Sequence, residues 1–255
     1  MRVEILRGKK PSETGEALLQ ALVSAIRSAG DELVTAQPEV LVLYGVGAEV
    51  HDAARRAQIA RGGRVLHFDL GYFGRKKVVG YVRMCLERDH PQHLLDATPN
   101  DPARWGRHGI QLREDADPKG PILLVGLGRK SRAYLNLPNW ERDKLKALRQ
   151  RFPGREVVFR PKRGDVHLGI RTDETTPIEQ LLRGASMAVV RHSNVAVDAA
   201  IAGVPFEAED GAAAWLQGRE FTAANRLDFL RRLAHWQYRP NEATEAWAFA
   251  KRMME

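Results

Sequence analysis

Wholly apolar runs alternate with stretches of helical periodicity, and this alternation constrains the fold more than any other feature of the sequence. A strand that is apolar at every position has to be covered on both faces, and helices between successive strands cover a parallel sheet. VEILRG (Val3–Gly8) predicts a first strand, and ETGEALLQALVSAIRSAG (Glu13–Gly30) a helix closed by glycine. EVLVLYGVG (Glu39–Gly47) reads as a buried strand with a glycine turn. EVHDAARRAQIARGG (Glu49–Gly63) reads as a helix and RVLHFDLGYFG (Arg64–Gly74) as a strand-to-loop junction.

The segment Asp96–Gly120 breaks the pattern, with three prolines, many charges and little periodicity. It predicts a crossing between domains. Beyond it the alternation restarts. Strands are expected at Pro121–Gly128, Glu156–Lys162 and Met187–Ser193, and helices at Asn139–Gly154, Thr176–Ser186 and Val195–Gly203. The last residues read as helical through Trp247 and Met254. The expected architecture is α/β, with two doubly wound Rossmann-like domains facing each other across a cleft. Their expected extents are 1–118 and 119–255, the C-terminal helix packing back toward the first domain.

Composition narrows the class. The 255 residues are 44% hydrophobic, enough for two cores. No apolar run reaches the roughly 18 residues that span a bilayer, and the N-terminus lacks the apolar block of a signal peptide. The single cysteine, Cys85, cannot form an internal disulfide, so a cytoplasmic location is expected, with Cys85 as a small buried residue. Lys and Arg number 40 against 32 Asp and Glu, a net charge of +8. Two readings of that charge stand: a polyanionic partner, nucleic acid before anionic lipid, or an inert basic surface.

The stretch VVRHSNVAVDAAIAGVP (Val189–Pro205) carries the most specific signal. In an open α/β sheet, ligands bind where strands end and helices begin. A helix starting near Val195 offers backbone N–H groups and the positive end of its dipole to an anion. Ser193 or Asn194 can cap that helix or meet a phosphate oxygen, and His192 can add a ring N–H. Asn194 and Asp198, four apart, share a helix face, and a carboxylate there can accept from a ribose diol. Read in isolation, the same residues also fit a capped helix carrying a surface acid.

HSNVAVDAAIAGVP resembles the donor-binding signature of GT-B glycosyltransferases, in which a His or Ser, a polar turn and an acid one turn into the helix precede Gly-x-Pro. The resemblance implies that His192 and Ser193 meet the diphosphate of a nucleotide sugar, with Asn194 beside them. Asp198, where Glu is commoner, would hold the ribose. It extends loosely to other strand ends. GLGRKS (Gly126–Ser131) would place Gly128, Arg129 and Lys130 at the donor phosphates, and FRPKRG (Phe159–Gly164) would place Arg160 and Lys162 near the base. The turn before Ile178 would offer backbone groups to a uracil ring.

The resemblance implies that a base acts from the first domain, where an inverting transfer must take the proton of an acceptor hydroxyl. Asp69 in HFDLGYFGR (His67–Arg75) is the first candidate, a loop-capping Asp being the alternative reading. Glu49 and His51 are weaker candidates. The tail LAHWQYRPNEATEAWAFAKRM is similar to that of compact phage proteins related to GT-B enzymes, several of which glycosylate hydroxymethylated pyrimidines in DNA.

That similarity implies UDP-glucose as the donor substrate and double-stranded DNA carrying 5-hydroxymethyluracil or 5-hydroxymethylcytosine as the acceptor. Tyr72 and Phe73 would stack on the flipped base, and Arg75, Lys76 and Lys77 would meet phosphates, with Arg104, Trp105 and Arg107 adding contacts. Trp236 and Trp247 read as packing residues. A glycan or lipid acceptor, or a non-catalytic DNA-binding protein, are the alternatives. No metal, permanently bound cofactor or membrane partner is expected; His90 and His93, with Asp89 and Asp96, read as solvated polar residues. The protein is expected to be a monomer.

Overall fold

The structure, a computed structural model, describes residues 1–7, 13–45, 49–74, 80–162 and 166–255. Contacts divide the chain into one unit of Met1–His108 with Arg231–Glu255 and a second of Gly109–Leu230. The expected boundary at residue 118 therefore lies inside the second unit, and the last residues of the chain belong with the first.

The first unit opens with strand β1 (Arg2–Leu6), helix α1 (Glu13–Ser28), the short β2 (Glu32–Leu33), β3 (Val40–Tyr44), α2 (Glu49–Ala60) and β4 (Arg64–Leu70). Apart from β2, these are the predicted strand–helix alternations. Leu18, Leu19, Leu22, Ala25 and Ile26 form the buried stripe of α1, at the spacing of one helix face. β5 (Val82–Leu86) and α3 (Pro102–Gly106, capped by the Asp101 side chain) follow.

The second unit contains β6 (Ile122–Val125), α4 (Arg129–Tyr134), α5 (Trp140–Arg151), β7 (Val157–Arg160), α6 (Ile178–Leu182), β8 (Met187–Val190), α7 (Val195–Ala202), β9 (Phe206–Ala208) and most of α8 (Ala223–Leu233). The chain then returns to the first unit through β10 (Gln237–Tyr238) and α9 (Ala243–Met254).

The first sheet runs β10-β5-β4-β3-β1-β2. β2, β1, β3 and β4 pair in parallel, whereas β5 pairs antiparallel with both β4 and β10. The antiparallel edge went unread in the sequence because Val82–Leu86 has no helix after it to announce a crossover. The second sheet, β7-β6-β8-β9, is wholly parallel. Its core joins Ile122, Leu124, Val157, Phe159 and Val189 to Trp140, Leu145 and Leu148 of α5.

The segment read as a domain crossing is built into the second unit over much of its length. Arg113 N donates to Ile201 O at 2.8 Å and Asp115 N to Ala202 O at 2.7 Å. The Arg226 guanidinium, 1% exposed, donates to Ala200 O and Arg113 O and pairs with Glu114. Gly203 ends α7 at φ 73°, where a Cβ would lie 2.3 Å from Arg113 O. That close approach, as well as the left-handed cap, requires glycine.

In the first unit, Arg104 is 1% exposed and bonds Ala234 O, Gln237 O, Glu242 and Glu245. It anchors the returning chain, which corrects the expectation that it contacts phosphate. Trp105 is also buried, while Arg107 pairs with Glu245 at the surface. Trp236 and Trp247 are core residues, their indole N–H groups donating to Thr98 and Asp31.

Candidate donor site

A parallel sheet gathers all its strand C-termini on one edge. In the order β7-β6-β8-β9 the chain goes from β6 to β7 on one side, then crosses to β8 on the other. The reversal lies between β6 and β8, and such a switch point leaves a crevice outside the strand ends. The loops that flank it are Gly126–Gly128 and Arg191–Asn194.

The first of these loops is held from beneath. Glu141, 1% exposed at the start of α5, accepts from Leu127 N at 2.9 Å. Arg132 Nη2 donates to the same carboxylate oxygen at 2.9 Å and to Leu127 O at 3.0 Å. Gly126 N donates to Arg160 O at 2.9 Å, and a Cβ on Gly126 would press on the Phe159 ring at 3.1 Å. Gly128 then starts α4 without a side-chain cap, with Arg129 and Lys130 exposed in the first turn. The Lys162 stem runs beside Gly128, its Cδ 3.4 Å from where a Cβ would sit.

On the other side of the crevice, Ser193 Oγ accepts from Val195 N at 3.3 Å at the head of α7, and Asn194 O accepts from Val197 N and Asp198 N. Six of the eight helix residues are buried; Asp198, its one charged residue, is half-exposed. A carboxylate in the first turn is favoured by the helix dipole. His192 lies under the turn after β9, where Asp210 N donates to Arg191 O at 2.7 Å and Gly211 abuts the His192 backbone. Glu209 in that turn gathers Arg191, Lys144 and the Trp140 indole N–H.

Arg160 points elsewhere. Its Nη1 donates to Asp173 O at 3.0 Å and pairs with the Asp173 carboxylate at 3.3 Å. That carboxylate also accepts from Thr176 N, Thr176 Oγ1 and Thr175 N, and the Thr176 bonds above all hold its pKa below the usual carboxylate value. Arg160 thus fixes the turn before α6. Ile178 heads α6 with its side chain in the core, leaving backbone groups as its means of contact.

In the first unit, Asp69 sits in β4, opposite Arg83 of β5. Its Oδ2 accepts from Arg83 Nη2 at 2.9 Å and its Oδ1 from Leu70 N at 2.8 Å. The expectation that Tyr72 and Phe73 present their rings to a base is corrected: Tyr72 is fully buried and Phe73 is 3% exposed. Tyr72 Oη lies 3.2 Å from His90 Nδ1, and Phe73 packs edge-on against Trp105 and His108. Apolar packing claims both rings. His90 is likewise buried rather than solvated, and His51 is buried with Nδ1 3.3 Å from Gly45 O.

Arg75, Lys76, Lys77, Gly47 and the Glu49 side chain lie outside the described residues. Among the described residues no cluster of three or more His, Cys, Asp or Glu could hold a metal, and no helix is long and apolar enough to cross a membrane. Sequence reasoning missed Glu141, Asp173 and Glu209. No local motif marks any of them in the sequence, and each acquires its partners through tertiary contact.

No protein-family model matches the chain. A curated protein, tRNA-2-methylthio-N(6)-dimethylallyladenosine synthase of Rhodococcus jostii (strain RHA1), is 33% identical over 99 residues, 38% of this chain and 20% of that protein. The match thus spans about a fifth of that relative's length.

Among solved structures, the beta Kdo 2,4 transferase of Thermosulfurimonas dismutans KpsC is similar with a TM-score of 0.58 at 12% identity, covering 100% of this chain and 98% of that one. The beta Kdo 2,7 transferase of the same protein has a TM-score of 0.56 at 14% identity, covering 98% and 99%. At these identities the likeness establishes the fold: mixed α/β with two Rossmann-like domains, as in GT-B proteins.

Proposed function

We propose that the protein is a glycosyltransferase that binds a nucleotide sugar at the switch point of its second sheet. The observation that carries the reading is the convergence at this crevice of two helix starts, the cations Arg129, Lys130 and Lys162, and the half-exposed acid Asp198. Backbone N–H groups at the two helix starts suit a diphosphate. Arg129 and Lys130 would offset charge building on the leaving group. Ser193 and His192 would meet the phosphates with Asn194 beside them, and Asp198 the ribose. Arg160 would act by shaping the turn before Ile178.

Asp69 is the proposed base for the acceptor hydroxyl. Arg83 and Leu70 N each occupy one of its oxygens, and each oxygen retains a second lone pair for that proton. Arg83 would orient the carboxylate.

The finer proposal is transfer of glucose from UDP-glucose to a 5-hydroxymethylpyrimidine in DNA, and it rests on the net charge of +8. With Tyr72 and Phe73 in the core, base stacking no longer contributes to it. A saccharide acceptor is the second reading, favoured by the Kdo transferases whose fold the chain shares. The test is calorimetric titration with UDP and CMP, followed by labelled-sugar transfer to modified duplexes, unmodified duplex and oligosaccharides. Nucleotide binding that His192→Ala and Asp198→Ala both leave intact would overturn the donor site. Label on a modified duplex alone selects the DNA reading, and label on saccharide alone replaces it.

A further inference from the structure

The outer flank of α5 bears a row of cations that the donor site does not use. Arg142, Lys146 and Arg149 are spaced i, i+4 and i+7, so they stand in line along about 10 Å of helix. All three are exposed and line a groove of about 400 Å³ together with exposed His167 and Gln150 and with Leu145 and Leu168. Among the described residues, no acid lines this groove. The exposed acid of the same helix, Asp143, stands three residues before Lys146 but lines a different groove, and Glu141 is turned into the core.

The neighbouring cations behave differently. Lys144 pairs with Glu209 and Arg151 with Glu207, whereas the three groove cations make no ion pair among the described residues. Like charges at this spacing repel along a helix, and the single acid Asp143 beside Lys146 offsets only part of that repulsion. A bound polyanion would relieve it.

We propose that this groove binds the phosphodiester backbone of a nucleic acid, without reading its sequence. The row, about 10 Å long, is long enough to meet about two or three successive phosphates of a strand. Of the lining leucines, Leu145 is buried and Leu168 half-buried, so among the described residues no exposed apolar side chain lines the groove to enter a lipid layer. A strand lying in the groove fits that arrangement better than a flat bilayer face. The inference stands apart from the transferase reading.

The test measures anisotropy of a fluorescein-labelled mixed-sequence oligonucleotide, single-stranded and duplex, between about 50 and 200 mM salt. The triple variant Arg142→Gln, Lys146→Gln, Arg149→Gln should weaken binding at least about tenfold at the low-salt end and flatten the log–log salt slope by about two to three. Its UDP titration should match the unsubstituted protein, which separates this outcome from failure of the donor site.

A control variant, Arg27→Gln, Arg56→Gln, Lys119→Gln, removes equal charge from exposed positions elsewhere and should leave the slope near the unsubstituted value. Equal weakening by the control assigns the effect to net charge and overturns the proposal. So does unchanged oligonucleotide binding by the groove variant, or no binding by the unsubstituted protein. Loss of binding to phosphatidylserine vesicles with oligonucleotide binding intact replaces the nucleic acid with a membrane.

Discussion

Arg132 and Glu141 form a buried ion pair whose two members together hold both peptide groups of Leu127. Glu141 takes its N–H at 2.9 Å and Arg132 its carbonyl at 3.0 Å, and the pair closes at 2.9 Å. The Gly126–Gly128 loop is therefore held by side chains from two helices that follow it in sequence, before any ligand arrives.

Removing Glu141 takes the carboxylate acceptor from Leu127 N and from Arg132 at once, and leaves a cavity in the core. Glu141→Ala should destabilise the protein by about 3–5 kcal/mol, read from urea unfolding. Arg132→Met combined with Glu141→Leu should recover much of that, because an apolar pair of similar volume is often neutral. A single-variant loss under about 1 kcal/mol would show that the pair carries no such burden.

Asp198 is half-buried on a helix whose core-facing residues are small and apolar, so its role can be separated from stability. Asp198→Asn should weaken nucleotide binding about tenfold or more, the value of a hydrogen bond to a charged group, with the unfolding midpoint little moved. Calorimetry and urea unfolding on the same samples check both halves. Unchanged affinity would remove Asp198 from the site.

Tyr72 separates a core role from a surface one. Its full burial predicts a loss of about 3–5 kcal/mol for Tyr72→Ala and about 1 kcal/mol for Tyr72→Phe, which removes only the hydroxyl beside His90. A stable Tyr72→Ala variant with impaired acceptor binding would instead restore the stacking role.

His67, buried, and His108, half-buried, set an acid limit. Burial first, and then Arg83, push the pKa of His67 down to about 4, and burial with Arg104, Arg239 and Arg107 pushes His108 down to about 3. Between those values and the ordinary 6.5 the unfolded chain binds more protons than the native one, so stability rises with pH across that window and is lost as pH falls through it. For His67 the full loss is on the order of 3 kcal/mol. His67→Leu should flatten the profile of unfolding midpoint against pH between about 4.5 and 6.5. An unchanged profile would assign the acid limit to other groups.

The donor-side elements were legible because their signals are local. β6, β8 and α7 announce themselves through runs such as ILLV, MAVV and VAVDAAIA, and the polar triplet His192–Asn194 sits at a predicted strand-to-helix junction. β5 was missed because antiparallel return to an edge leaves no helical crossover in the sequence. Tyr72 and Phe73 were misread because a Gly-flanked aromatic pair looks the same in sequence whether its rings face water or a core.

Sequence alone determined the α/β class, the alternation of β1, β3 and β4 with α1 and α2 and of β6, β7 and β8 with α5, α6 and α7, and which strand ends carry polar and glycine-rich loops. Period and composition are properties of neighbours along the chain, so they survive without a fold. Tertiary structure alone decided that Arg104 anchors the returning chain, that Arg160 holds Asp173, and that Glu141 grips Leu127. An arginine or a glutamate is defined by whichever partner the fold brings within about 3 Å, and nothing in its sequence neighbours fixes that partner.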